Sequence, residues 1–274
     1  MAGALRKGIH RSSGASICAA LLATAALLPA SALAAQGPQP PRPEPVVTGD
    51  QARRDINVPD TIPNISGTWT PMGSNRSIQP SDGSATPFLP WAQAYIDNRR
   101  QAEQIGQPLF DPSANCLSGG IPRVILSPYP IDIIQLPNLT IISTETLHTF
   151  RMIHMDGKPP PPDYVPSYLG YSTGRWEGDV LVVETTGTNG YTQVDEEGRP
   201  KSSDMKIIER WHKLAPNLIE VDFTMIDPRT YSRPWTAKAQ LRCSPDTRLA
   251  EYICEENNRN KPTAEGKLRH GTEK

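Results

Sequence analysis

The sequence predicts a mainly β protein: a single antiparallel meander closed as an up-and-down β-barrel, with one N-terminal helix. Three observations predict it. Short apolar or alternating runs recur from Ile131 to Cys254, turn residues such as Pro137-Asn138, Gly178-Asp179, Pro216-Asn217 and Pro245-Asp246 separate them, and only one earlier stretch has helical spacing. Hairpin-length links make consecutive strands antiparallel neighbours, and closure removes the edges that a folded-over sandwich leaves exposed.

Ordered structure is expected to begin with a strand at Ile65–Thr70. After a Gly/Ser-rich loop, Thr86 or Pro87 starts the helix, in which Trp91, Tyr95, Ile96 and Ala102 recur on one side up to Gly106. The later strands are expected at Ile131–Gln135, Leu139–Glu145, Thr149–Met155, Tyr168–Trp176, Val180–Thr186, Met205–Lys213, Leu218–Ile226, Trp235–Cys243 and Arg248–Cys254. The clearest local signal is YLGYSTGRWEGDVLVVETTG, Tyr168 to Gly187, a hairpin turning at Gly178-Asp179.

Residues 1–34 have the order of a secretory signal peptide: Arg6, Lys7 and Arg11, an apolar run from about Ile17 to Leu28, then Ala32-Leu33-Ala34. The apolar run is too short to span a membrane, and no later one is long enough. Residues 35–63 read as a Pro-rich tether, 64–257 as one barrel-like domain, and the charged segment 258–274 as a disordered tail. The protein is therefore expected in the bacterial periplasm or secreted. Losing the three basic residues of the leader takes the formal charge from −1 to −4. Such a chain has no electrostatic footprint for nucleic acid, and a small molecule is the better partner.

Three cysteines follow the leader, and an oxidising compartment favours one disulfide among them. A turn near Pro245-Asp246 puts Cys243 and Cys254 out of register, so Cys116 is expected to pair with Cys254 or Cys243. No two cysteines have zinc-ligand spacing, and no cofactor is implied.

RWEGDVLVVETTG, KIIERWHKL, DPRTYSRPW and EYICEENN, in that order, resemble the signature of a family of exported bacterial proteins of unknown function. The resemblance covers roughly residues 65–258 and implies export and a shared fold, but no activity. Val180, Thr188 and Lys158-Pro159-Pro160 depart from the family pattern. Gly67-Thr68-Trp69 is also similar to the glycine-x-tryptophan opening of lipocalin-type barrels, which makes the predicted barrel lipocalin-like.

Gly170-Tyr171-Ser172-Thr173-Gly174 fits the G-x-S-x-G nucleophile elbow, yet the residues after it make a hairpin where the elbow needs a helix. Its glycines read instead as points of close packing. His148 and His154 lie ~20 Å apart along one strand and cannot share a metal ion. Charges inside strands are more informative. Buried charges are kept where they are paired, and such places are candidates for binding or acid–base work. Arg151, Arg175, Glu177 and Arg210, with Trp176 and Trp211, are the candidate ligand-binding residues. His154, Asp156 and Glu209 are the candidate proton-transfer set. Lys158 to Pro166 is a stiff, polyproline-like crossover long enough to cover a barrel mouth. Two classes follow: a periplasmic barrel binding a small, partly apolar molecule in its cavity, or an exported lyase, isomerase or hydrolase using a His/carboxylate pair.

Overall fold

Nine strands close into one barrel in the computed structural model, which describes residues 58–73, 77–107 and 109–257. The leader, most of the tether and the tail expected at 1–34, 35–57 and 258–274 lie outside the described residues. The strands are β1 Gly67–Pro71, β2 Ile131–Gln135, β3 Leu139–Thr144, β4 Thr149–His154, β5 Tyr171–Glu177, β6 Val180–Thr186, β7 Lys206–Ala215, β8 Leu218–Ile226 and β9 Trp235–Cys243. Sheet order follows chain order, and β1 closes the barrel on β9 through Trp69↔Cys243 and Pro71↔Leu241.

Two features depart from the expected meander. The β4–β5 pair is parallel, whereas the other neighbouring pairs are antiparallel. The segment expected as a strand at Arg248–Cys254 forms none, because the outer edge of β9 is already taken by β1. Residues 245–253 instead cross to the end of the barrel where β4 begins. There the Ala250 N–H donates to Glu145 Oε2 and the Tyr252 N–H to His148 Nε2. Cys254 is bonded to Cys116, one of the two expected pairings, and Cys243 stays outside that bridge.

The long helix α1 spans Pro90–Gln104, with proline in its first turn, where a missing N–H costs nothing. It buries Ala92, Ile96 and Ala102, while Trp91 is half exposed and its indole donates to Arg229 O. Helix does not end there as expected, since Arg123–Leu126 (α2) and Cys254–Asn257 (α3) each add one turn. No helix among the described residues is long and apolar enough to cross a membrane.

Alternation decides which strand face is inward. On β8, Ile219, Val221, Phe223 and Met225 are buried while Glu220, Asp222 and Thr224 are partly exposed, so the apolar face points into the barrel. Trp69, Trp211 and Trp235 are fully buried in the same core. At about 25 cal/mol per Å² of apolar surface, burying side chains of this size makes the interior the main source of stability.

The β6–β7 excursion, 187–205, is pinned by buried carboxylates. Asp195 accepts the N–H groups of Ile78 and Arg199, and Asp227 accepts the backbone N–H and hydroxyl of Ser202. Between them lies Lys201, buried, its ammonium donating to Thr188 Oγ1. Burial lowers its pKa from 10.5 to about 8, against the pull of Asp227. Between about pH 8 and pH 10 the unfolded chain therefore holds a proton that the folded one has lost, and stability rises with pH by up to about 3 kcal/mol. Above about pH 10 the trend reverses, because burial holds the Tyr231 phenol protonated in the folded state only. Urea melts across this range are expected to show the rise for the wild type and to flatten it for Lys201→Met. A flat wild-type profile counts against the burial argument.

Candidate ligand cleft at the β4–β5 seam

The parallel pairing of β4 and β5 follows from the crossover between them. Pro159 to Pro162 supply no N–H and favour an extended, unpaired backbone, so the crossover loops out without making a hairpin and returns to start β5 beside the end of β4. At its end the crossover is drawn toward β6. Ser167 pairs in parallel with Thr188, its N–H donates to Gly187 O, and its carbonyl accepts the Asn189 N–H. Gly170, at φ +68°, turns the chain into β5, where a Cβ would sit 2.5 Å from Thr186 O.

The consequence is an incomplete seam. β4 and β5 pair at Ile153↔Ser172 and His154↔Thr173, and among the described residues the first half of β4 has no strand partner on that side. A cleft of about 440 Å³ opens there. Its β4 bank carries Phe150, Met152 and His154 on the outward face; its other bank carries Tyr168 and Tyr171, with Tyr164 from the crossover. Phe150 and Met152 are 62% and 54% exposed, unusual for large apolar side chains on a strand. The His154 ring stacks on Tyr171 with centroids 4.6 Å apart and planes 9° from parallel, and Tyr164 meets Tyr171 edge-on at 5.6 Å. Ser118 and Ser167 add hydroxyls.

Arg151 closes the inner side of the seam. It is 2% exposed and points into the barrel, where Nε donates to Ser172 Oγ at 3.1 Å and Nη2 to Thr185 Oγ1 at 2.7 Å. The side chain thus ties β4 to β5 and β6 where backbone pairing is missing. Its Nη1 donates to Glu209 Oε2 at 2.8 Å, and the Trp211 indole donates to the same oxygen at 3.0 Å. Glu209 Oε1 has no hydrogen-bond partner among the described residues.

The sequence-derived candidates are therefore divided among three places. Arg151, Glu209 and Trp211 meet inside the barrel as a buried network. Arg175, Glu177 and Arg210 meet on the outer face, where Glu177 bridges both guanidiniums, at 2.6 Å to Arg175 and 2.9 Å to Arg210. Those guanidiniums, Arg210 first, hold the Glu177 carboxyl below its usual pKa. The arginine stems flank buried Val182, so this is a solvated charge pair over an apolar strand and does not line the cleft. Trp176 points inward and packs against the core.

The proposed proton-transfer set is not assembled. Glu209 faces the barrel interior, whereas His154 faces outward on β4. Asp156 binds Lys158 through both its oxygens, accepting the backbone N–H and the ammonium at 3.2 Å each. The Lys158 backbone N–H is the main cause that holds the Asp156 carboxyl below its usual range, which makes it a weaker base. Ser172 of the G-x-S-x-G match is buried and bonded to Arg151 and Thr185, with no helix after it. Gly174 packs as expected of a strand glycine: a Cβ there would meet Ile153 and Met155 within 2.7 Å. Among the described residues no three His, Cys, Asp or Glu side chains converge as a metal site.

Sequence reasoning missed Phe150, Met152, Tyr164, Tyr168 and Tyr171 as a group. Phe150, Met152 and His154 share one strand face, but nothing local marks that face as bordering a gap. The chain matches no protein-family model, and no curated protein matches it.

Proposed function

We propose that this is an exported bacterial protein that binds a small, partly apolar molecule in the β4–β5 cleft. The observation that carries the reading is the cleft itself: about 440 Å³, lined by aromatic and thioether side chains left exposed where two strands fail to pair. That volume is in the range of small-molecule sites, and the few hydroxyls among apolar walls fit a molecule with one polar edge. The cleft replaces the barrel lumen as the binding place, because core side chains take up the interior. The leader-like residues 1–34 and the Cys116–Cys254 disulfide support export. So does the resemblance of the RWEGDVLVVETTG region to an exported family, though it supplies no reaction. The barrel is read as lipocalin-like in its Gly67-Thr68-Trp69 opening, with its entrance moved from the mouth to the wall.

Met152→Arg places a charge on a side chain that is already half exposed, so the fold is expected to tolerate it, as a thermal melt will verify. After incubation with bacterial extract and repurification, mass spectrometry is expected to find a small molecule on the wild type and about tenfold less on the variant. Equal retention by both proteins, or none by the wild type, refutes the reading.

A further inference from the structure

We infer that the ligand of the seam cleft is uncharged at neutral pH and planar: an aromatic molecule carrying a hydroxyl or similar neutral polar group. The inference rests on the cleft being the binding site and goes on to its chemistry. Charge comes first. Arg151 is the one permanently charged residue of the lining, and its guanidinium is turned inward and spent on Glu209, Ser172 and Thr185. Among the described residues no carboxylate belongs to the lining. Asp156, two residues beyond His154, is bound to Lys158. Among the described lining residues, a carboxylate or phosphate finds no available cation and an ammonium finds no anion. Burying either unpaired is unfavourable.

Shape comes second. His154 and Tyr171 already form a near-parallel stack, and Tyr164 stands edge-on to it, so the walls present both faces and edges of rings at the spacings aromatic pairs prefer. Phe150 and Met152 share the β4 bank with His154, across the cleft from Tyr168 and Tyr171, and keep most of their surface in solvent. A flat ring inserted between these banks covers both and gains sulfur–aromatic contact with Met152. Ser167 Oγ is engaged by the Gly170 N–H and the Tyr164 hydroxyl, whereas the Ser118 hydroxyl accepts the Gly120 N–H and has its own hydrogen to donate to a neutral acceptor.

The test compares three probes of one shape on the purified protein: naphthol, naphthoate and naphthylmethylammonium, by calorimetry at neutral pH with NMR shifts to locate binding. Naphthol is expected to bind about tenfold or more tighter than either ion, with shifts at Phe150, Met152 and Tyr168. An ion binding in the cleft as tightly as naphthol overturns the ligand class and leaves the cleft standing. So does failure of all three probes when the extract experiment yields a Met152-dependent ligand. Shifts confined to residues outside the cleft overturn the cleft reading itself.

Discussion

Glu209→Ala is expected to lower the free energy of unfolding by about 3–5 kcal/mol, far beyond what an exposed ion pair is worth. The reason is what the substitution leaves behind. Arg151 and Glu209 are 2% and 0% exposed and joined at 2.8 Å. Without the carboxylate, the guanidinium stays buried with only hydroxyl partners, and the Trp211 indole loses its acceptor as well. The double variant Arg151→Met, Glu209→Leu removes both charges and is expected to recover most of the loss. It also removes the tie across the β4–β5 seam, so hydrogen exchange in Thr149–Met152 is expected to quicken even where global stability returns. Urea denaturation checks the first effect. A loss below about 1 kcal/mol for Glu209→Ala shows that the pair is solvated and the barrel wetter than described.

The second large effect is expected from Cys254→Ser. The Cys116–Cys254 bond closes a loop with a sequence separation of 138, for which the loop-entropy relation assigns about 5 kcal/mol; measured losses fall at about 2–5 kcal/mol. The bond holds the end of the 245–253 strap, whose other contacts include single hydrogen bonds to Glu145 and His148 and the edge-on packing of Tyr252 against Tyr129. Losing the bond is expected to lower the melting temperature and raise hydrogen exchange in 245–253 while leaving β9 protected. An unchanged exchange pattern shows that the strap is held without the disulfide. Cys243→Ser, outside the bridge, is the control.

Local chemistry was enough to read most elements. Ile131–Gln135, Val180–Thr186, Leu218–Ile226 and Trp235–Cys243 are strands with the bounds their patterns indicate, because alternation and flanking turns are properties of neighbouring residues. The Gly178-Asp179 hairpin is of the same kind. Arg248–Cys254 has a strand-like composition but no edge left to pair with, and composition carries no information about which edges are occupied. Tyr168 to Gly170 reads as strand and is not one, since Ser167 and Gly170 bend toward β6. Arg151 and Glu209 were legible as charges in strands that need explaining. Their union, 58 residues apart in sequence, was not.

By itself the sequence determined the mainly β class of fold, the hairpin register around Gly178 and the cysteines available for a disulfide. All of these rest on interactions or chemistry within a few residues. Tertiary structure alone decided which strand face is inward, which charges meet, and where the wall stays open. Each of those depends on closure: once β1 takes the edge of β9 and the proline crossover sets β5 parallel to β4, the incomplete seam with Phe150, Met152 and Tyr171 at its banks follows from geometry that no single segment contains.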